Sequence, residues 1–412
     1  MDSLGANWRQ AQPKVLVVVG TRPEVIKLGP VIKELELDPD IKVSLCVVAQ
    51  QTDLLEQAVA EWNLVADYRV SIPAHDRRLA TTLAAMLPGL ADAIDAEKPT
   101  LVMVEGDTTT NLGAALAAFY AGVPVAHVEA GLRSGDRRQP FPEEMHRVLV
   151  DHLSSVHYAP TDGARDNLVA EHCVDPDGVL VSGNTVVDAL LSVLRDNRDL
   201  DVVPPEGRRV LLVTAHRREN FGDGIDAICR AVRELATSRD DLDVVFVLHS
   251  NPAASGPAEA ALHELPNVRL IKPQPYHAFI RLIARADIVL TDSGGVQEEA
   301  PYLGTPVLVA RDVTERPEGS EAGAARLVGT CTEAIVEAVS ALLDDAELYA
   351  AMSRRIAPYG NGDAAVRIHE DLVRRLVIPS VGAIDASEDV TTMEAPGILS
   401  QVTARSAAAP AS

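Results

Sequence analysis

The sequence predicts an α/β protein of two Rossmann-like, doubly wound domains facing a central cleft. Three observations carry that reading. Short β-rich apolar runs alternate with stretches of helical periodicity along most of the 412 residues. The runs are apolar at both alternating sets of positions, as expected of parallel strands covered on both faces. A polar, Pro-rich stretch, DNRDLDVVPPEGRR at 196–209, divides two such series about midway.

In chain order, the first series predicts strands at 14–20, 43–49, 101–106, 123–129, 156–160 and 179–184. The second predicts strands at 209–216, 244–250, 268–273, 287–293 and 306–311. Segments such as IKLGPVIKELE and GAALAAFYAG supply the intervening helices. The expected organisation is a loose N-terminus (1–13), a first domain (14–190) and a second domain (191–359). A final helix at about 360–378 is expected to pack back on the first domain, before a disordered tail at 379–412 rich in Ala, Ser, Thr and Glu. No short-period repeat is present.

Composition narrows the function classes. Hydrophobic residues make up 47% and aromatics only 3%, so Val, Leu and Ala must fill the cores. The net charge of −23 repels nucleic acid and anionic membrane in bulk, yet permits a local basic pocket for a small anion. Cys46, Cys173, Cys229 and Cys331 lie far apart without metal spacing and read as reduced thiols. The histidines show no metal pattern either, so no metal is expected. No apolar run reaches the roughly 20 residues of a membrane span. MDSLGANWRQ lacks the basic-then-apolar pattern of a signal peptide. The expectation is a cytoplasmic protein with no nucleic-acid or membrane partner.

In open α/β sheets, ligands sit outside the carboxyl ends of the strands, and charged motifs recur there. GTRPEVIK (20–27) starts a helix near Pro23, where backbone N–H groups can face an anion and Arg22 and Lys27 add positive charge. A plain helix start is the alternative. EGDTTTNLGAAL (105–116) places Asp107 at a strand end, as a helix cap or as a catalytic carboxylate. HVEAGLRSGD (127–136) ends a strand at Glu129, a carboxylate that burial makes costly without a partner. Arg133 and Asp136 are expected to shape the loop that follows.

PFPEEMHR (140–147) opens a helix with Glu143 and Glu144, which the helix dipole favours, and Arg147 one turn on. TAHRREN (214–220) is a cationic cluster in which His216, nearest the strand, is expected to face the cleft. TDSGGVQEEA (291–300) turns from strand to helix at Ser293, Gly294 and Gly295, a phosphate cradle in form. Glu298 and Glu299 follow, where a carboxylate could hold ribose hydroxyls. Phe279 reads as helix-core packing or as a base contact, and His127 and His249 as hydrogen-bonded strand-end histidines.

These motifs, in this order, resemble the non-hydrolysing UDP-N-acetylglucosamine 2-epimerases. The similar segments are GTRPEVIKLGPVI, EGDTTT, HVEAGLRSGD, PFPEEMHR, GNTVVDAL (183–190), TAHRREN, TDSGGVQEEAPYLGTPV and TERPEG (314–319), spanning residue 14 to about 375. The resemblance implies a glycosyltransferase-B-like fold, interconversion of UDP-GlcNAc and UDP-ManNAc for cell-surface polysaccharide biosynthesis, no cofactor, and a homodimer. It matches Asp107, Glu129 and Glu143 to the family's catalytic carboxylates. Lys27, Arg147 and His216 match active-site groups near diphosphate and sugar, and Arg22, Ser293, Gly294, Gly295 and Glu299 match substrate-binding positions. Phe279 falls where the family contacts uracil. The chain departs from the pattern at Glu105, where a neutral or imidazole residue is common, and at His146, where Asn is usual. It also departs over 47–57 and 73–82, which help form an allosteric substrate site in bacterial relatives.

The implied chemistry is inversion at C2, whose hydrogen no carbonyl acidifies. Departure of UDP from C1 makes that hydrogen acidic, giving a 2-acetamidoglucal to which UDP re-adds with protonation from the opposite face. Such a path needs donors for the leaving diphosphate and proton-transfer groups on both ring faces. A hydrolysing epimerase releasing ManNAc, a retaining glycosyltransferase of the same fold and a non-enzymatic UDP-sugar binder are the competing readings. HVEAGLRSGD with PFPEE speaks against the first, whose strand end resembles HIEGGE before a different loop.

Overall fold

The computed structural model of the chain describes residues 12–49, 53–72, 78–195, 207–217, 220–249 and 251–377. Residues 1–11, most of the expected linker and the expected tail lie outside the described residues.

The first sheet contains β1 (Lys14–Val19), β2 (Lys42–Ala49), β3 (Tyr68–Ser71), β4 (Leu101–Glu105), β5 (Val125–Val128), β6 (Val156–Ala159) and β7 (Val179–Val181). The second contains β8 (Arg209–Thr214), β9 (Leu242–Val247), β10 (Val268–Ile271), β11 (Ile288–Thr291), β12 (Val307–Val309) and β13 (Ala325–Leu327). Their orders are β3-β2-β1-β4-β5-β6-β7 and β10-β9-β8-β11-β12-β13. Every pairing is parallel. Each order reverses once, between β1 and β4 and between β8 and β11, and ligands bind at such switch points.

Both faces of each sheet are covered, which explains the continuous apolar runs. On β1, Val15, Val17 and Val19 pack with Leu28 and Ile32 of helix Arg22–Glu36. Leu16 and Val18 face the other way, toward Met86 and Leu90 of helix Leu79–Glu97. Each such side chain contributes roughly 1.5–3 kcal/mol on burial. Helix Ala364–Leu372 inserts Ala365, Ile368 and Leu372 beside Leu28 and Tyr158 of the first sheet's core. Ile26 of the first half and Leu190 and Val193 of helix Thr185–Arg195 join the core of the second sheet.

Three differences from the sequence reading have simple causes. β3 and β13 were not predicted: each is a short outer strand with only one fully buried residue, so neither makes an apolar run. β5, β8 and β11 stop at Val128, Thr214 and Thr291, so the charged ends of those runs lie just beyond the sheets. Helix Leu79–Glu97, 19 residues with mean hydropathy 1.2, is long and apolar enough to cross a membrane by length and composition. Pro88, Gly89 and its aspartates break up the run that a sequence reading looks for. One face of the helix packs Met86, Leu90, Ala93 and Ile94 into the first domain.

Candidate active site

The carboxyl ends of the two sheets face each other across a cleft of about 910 Å³. Arg22, Lys27, Asp107, Glu129, Glu143, His216, Phe279, Ser293, Gly294, Gly295 and Glu299 all line it. Arg147 does not. It lies behind Asp107, with Nη2 2.5 Å from Asp107 Oδ2 and Nη1 3.3 Å from Glu144.

Glu129 has a cause for its position that the sequence does not display. It follows β5 with φ of +65°, a left-handed conformation that costs a non-Gly residue roughly 1–2 kcal/mol. That turn aims its carboxylate into a buried ionic cluster. Lys27 Nζ and Asn184 Nδ2 donate to Oε2, the latter at 2.9 Å, and an Arg316 Nη lies 3.5 Å from Oε1. Arg316 also donates through Nε to Glu298 Oε1 at 2.5 Å and pairs with Glu315. Asn184 donates to Glu298 as well, at 3.0 Å. The cluster therefore joins the two domains. Burial alone would raise the Glu129 carboxyl, but Lys27 and Arg316 outweigh it and hold it down at about 2.

The loop after β5 rests on Asp151. This buried carboxylate meets His127 Nδ1 at 2.6 Å, Arg133 Nη2 at 2.7 Å and the Gly131 N–H at 3.3 Å. The other His127 nitrogen faces the Gly106 carbonyl at 2.7 Å, so His127 is a fully bonded strand-end histidine. Glu144 accepts the N–H groups of Ser134 and Gly135 at 3.0 Å and so holds the loop from the helix side. Glu143, its neighbour, is left at the cleft. His146 sets its Nδ1 3.0 Å from the Asp107 carbonyl oxygen.

The two helix starts expected to seat anions differ. At Arg22–Glu36 the N–H groups of Gly20 and Thr21 already donate to Glu24 of the same helix, so these two donors are not open to an anion. Thr108 also donates to Glu24, at 2.5 Å, and burial pushes this carboxyl up to about 7. At helix Gly294–Leu303 no side chain caps the start. A Cβ on Gly294 would stand 2.7 Å from an Arg316 Nη and 3.2 Å from an Arg217 Nη, so two guanidinium groups lie against this N-terminus. Dipole, backbone donors and arginines together form an anion seat.

Glu298 and Glu299 lie in the second turn of that helix, and point differently. Glu298 enters the ionic cluster, whereas Glu299 reaches the cleft wall, where burial pushes its carboxyl up to about 8. His216 stands at the same end. Its backbone N–H and that of Arg217 donate to the buried Asp292, at 2.9 Å each, and Asn220 Nδ2 donates there at 3.0 Å. The His216 ring stacks on His249, with centroids 5.5 Å apart, and burial lowers its pKa. Phe279 is partly buried against the second core and also lines the cleft.

Arg316, Asn184 and Asp292 escaped the sequence reading as site residues, and Glu298, read as a possible ribose contact, enters the ionic cluster instead. The segments GNTVVDAL and TERPEG carried two of them without a chemical signature of their own.

Comparison with known proteins places this cleft in context. A family model described as UDP-N-acetylglucosamine 2-epimerase matches residues 33–373. The chain is 45% identical over 369 residues to the UDP-N-acetylglucosamine 2-epimerase of Escherichia coli K12, covering 87% of this chain and 98% of that protein. The crystal structure of UDP-GlcNAc 2-epimerase from Neisseria meningitidis bound to UDP-GlcNAc is similar with TM-score 0.84 and 41% identity, over 88% of this chain and all (100%) of that one. A structure of S. aureus MnaA with UDP gives TM-score 0.85 and 38% identity, over 89% of this chain and 97% of that one. A spinosyn rhamnosyltransferase, 17% identical with TM-score 0.55, shares the fold alone.

Proposed function

The chain belongs to the UDP-N-acetylglucosamine 2-epimerase family, and from that premise we propose that it interconverts UDP-GlcNAc and UDP-ManNAc without hydrolysis, by anti elimination of UDP and re-addition. One observation carries this reading. Asp107, Glu129 and Glu143 approach one cleft from separate elements, opposite a helix start flanked by Arg316 and Arg217.

The anion seat at Ser293, Gly294 and Gly295, with Arg316, Arg217 and His216, receives the diphosphate and stabilises the charge that grows as it leaves C1. A single well-placed donor of this kind contributes about 3 kcal/mol. Phe279 stacks on the base, and Arg22 and Glu299 hold the nucleoside. Asp107 and Glu129 serve as base and acid on the two faces of the ring, while Glu143 positions the sugar or shares the proton. With Lys27 and Arg316 beside it, Glu129 is a poor proton carrier before substrate arrives. The diphosphate brings negative charge to the same Arg316, which raises the Glu129 carboxyl toward a range in which it can hold a proton. Closure of the two domains keeps water from the glucal.

We assign residues 14–190 with the final helix to one domain and 191–359 to the other, and the protein to the cytoplasm. A homodimer is supported by the exposed Phe119 and Tyr120 at the end of helix Thr109–Tyr120. A monomeric mass by light scattering would overturn that assignment.

Incubation with UDP-GlcNAc in D₂O, followed by NMR, tests the reaction. Deuterium at C2 in both epimers supports elimination and re-addition. Free ManNAc as the product would replace this reading with the hydrolysing one, and turnover only with an added acceptor would replace it with glycosyl transfer.

A further inference from the structure

Glu105 ends β4 and is buried at the floor of the cleft. The sequence marks it only as a departure from a pattern, and the proposed mechanism makes no use of it. Its surroundings are unusual for a carboxylate. Among the described residues, the one cation within 4 Å of its side chain is Lys27, whose Nζ lies 3.2 Å from Oε1. Lys27 meanwhile hydrogen-bonds Glu129 and lies 4.0 Å from Glu298. Thus Glu105, Glu129 and Glu298 share one ammonium.

The other two carboxylates are better supplied. Glu129 also has Asn184 and Arg316, and Glu298 has both of these at hydrogen-bond distance. Glu315 is matched by Arg311 at 2.9 Å. Charged groups face Glu105 from each neighbouring element: Lys27 and Glu24 from helix Arg22–Glu36, Glu129 from the end of β5, and Glu298 and Arg316 beyond Lys27. A buried site with more carboxylates than cations takes up a proton, and the proton goes to the carboxylate with the fewest donors.

We propose that Glu105 is a positioning residue that works as a neutral carboxylic acid, its oxygen holding Lys27 in place while the charge of Lys27 is left to Glu129. This rests on the proposed role of Glu129 in proton transfer. Burial, together with the neighbouring Glu129 and Glu24 and against the pull of Lys27, pushes the Glu105 carboxyl well above its ordinary range. The sign follows. Below its folded pKa Glu105 is neutral and Lys27 serves Glu129. As pH rises through that pKa, Glu105 ionises, competes for Lys27 and adds a like charge beside Glu129, so activity falls on the alkaline side.

Two variants test this in the full-length protein. Glu105→Leu removes the oxygen and is expected to lower kcat at least tenfold with KM little changed. Glu105→Gln keeps a neutral group of the same shape; it is expected to restore most of that loss at pH 7 and to move the alkaline limb of kcat/KM upward by at least one pH unit. Subtracting the infrared spectrum of substrate-free Glu105→Gln from that of the parent at neutral pH should leave a protonated-carboxyl C=O band, since the bands of Glu24 and Glu299 are common to both and cancel. A Gln variant as impaired as the Leu variant, an unmoved alkaline limb, or a parent-minus-Gln spectrum with no protonated-carboxyl band would each overturn the proposal. The infrared comparison needs no substrate, so a parent protein lacking C2 exchange is told apart from an ionised Glu105.

Discussion

Replacing Arg316 by Met should damage stability and turnover together, and the structure lets both be sized. The guanidinium touches Glu298, Glu315 and Glu129, all buried. Glu129 alone falls from 4.5 to about 2, which corresponds to roughly 3 kcal/mol shared between Lys27 and Arg316. Removing one partner of such a buried pair leaves uncompensated charge and costs about 3–5 kcal/mol. For domains of this size that lowers Tm by about 10 °C. The pH dependence has a definite sign. A depressed carboxyl stabilises the folded state above its unfolded pKa, and the contribution is lost as pH falls through its folded pKa. The gap between parent and Met variant is therefore widest at neutral pH and narrows between 4.5 and about 2. Turnover should drop by about 10²–10³ through loss of a donor from the anion seat. Calorimetry across pH and an NMR epimerisation assay measure the two effects. Melting curves at pH 7 within about 2 °C of each other, or turnover within about threefold, would refute this account of the cluster.

Asp107→Asn, Glu129→Gln and Glu143→Gln should each lower turnover by about two to four decades while leaving UDP binding measurable by calorimetry. Asp151→Asn should remove about 2 kcal/mol of stability at neutral pH, because burial opposed by His127 and Arg133 holds this carboxyl at about 2 instead of 3.8. The difference in urea midpoint should shrink as pH falls through that window. Gly20→Ala places a Cβ 2.2 Å from Thr110 Oγ1 and 2.8 Å from the Val48 carbonyl oxygen, at the head of the catalytic cleft. It should cost about 1–3 kcal/mol in a denaturant titration.

Much of this molecule is legible in one dimension. Apolar runs such as KVLVVV and LVMVE declare parallel strands because both their faces are covered, and the alternation with helices then requires doubly wound sheets. Since ligands gather at strand ends, Asp107, Glu129, His216 and Ser293 could be assigned to one cleft from their places after those runs. The short outer strands β3 and β13 stayed hidden because a strand with one buried residue has no periodic signature. So did the partners of Glu129. Lys27, Asn184 and Arg316 reach it from positions 102, 55 and 187 residues away, the last from the other domain, and no local pattern encodes contacts over such separations. The same holds at the two helix starts: both look able to bind an anion in sequence, yet Glu24 occupies one and Arg316 and Arg217 flank the other. Backbone periodicity is a local property and survives in the sequence, whereas charge balance in a buried site is a property of everything packed around it and exists only once the chain has folded.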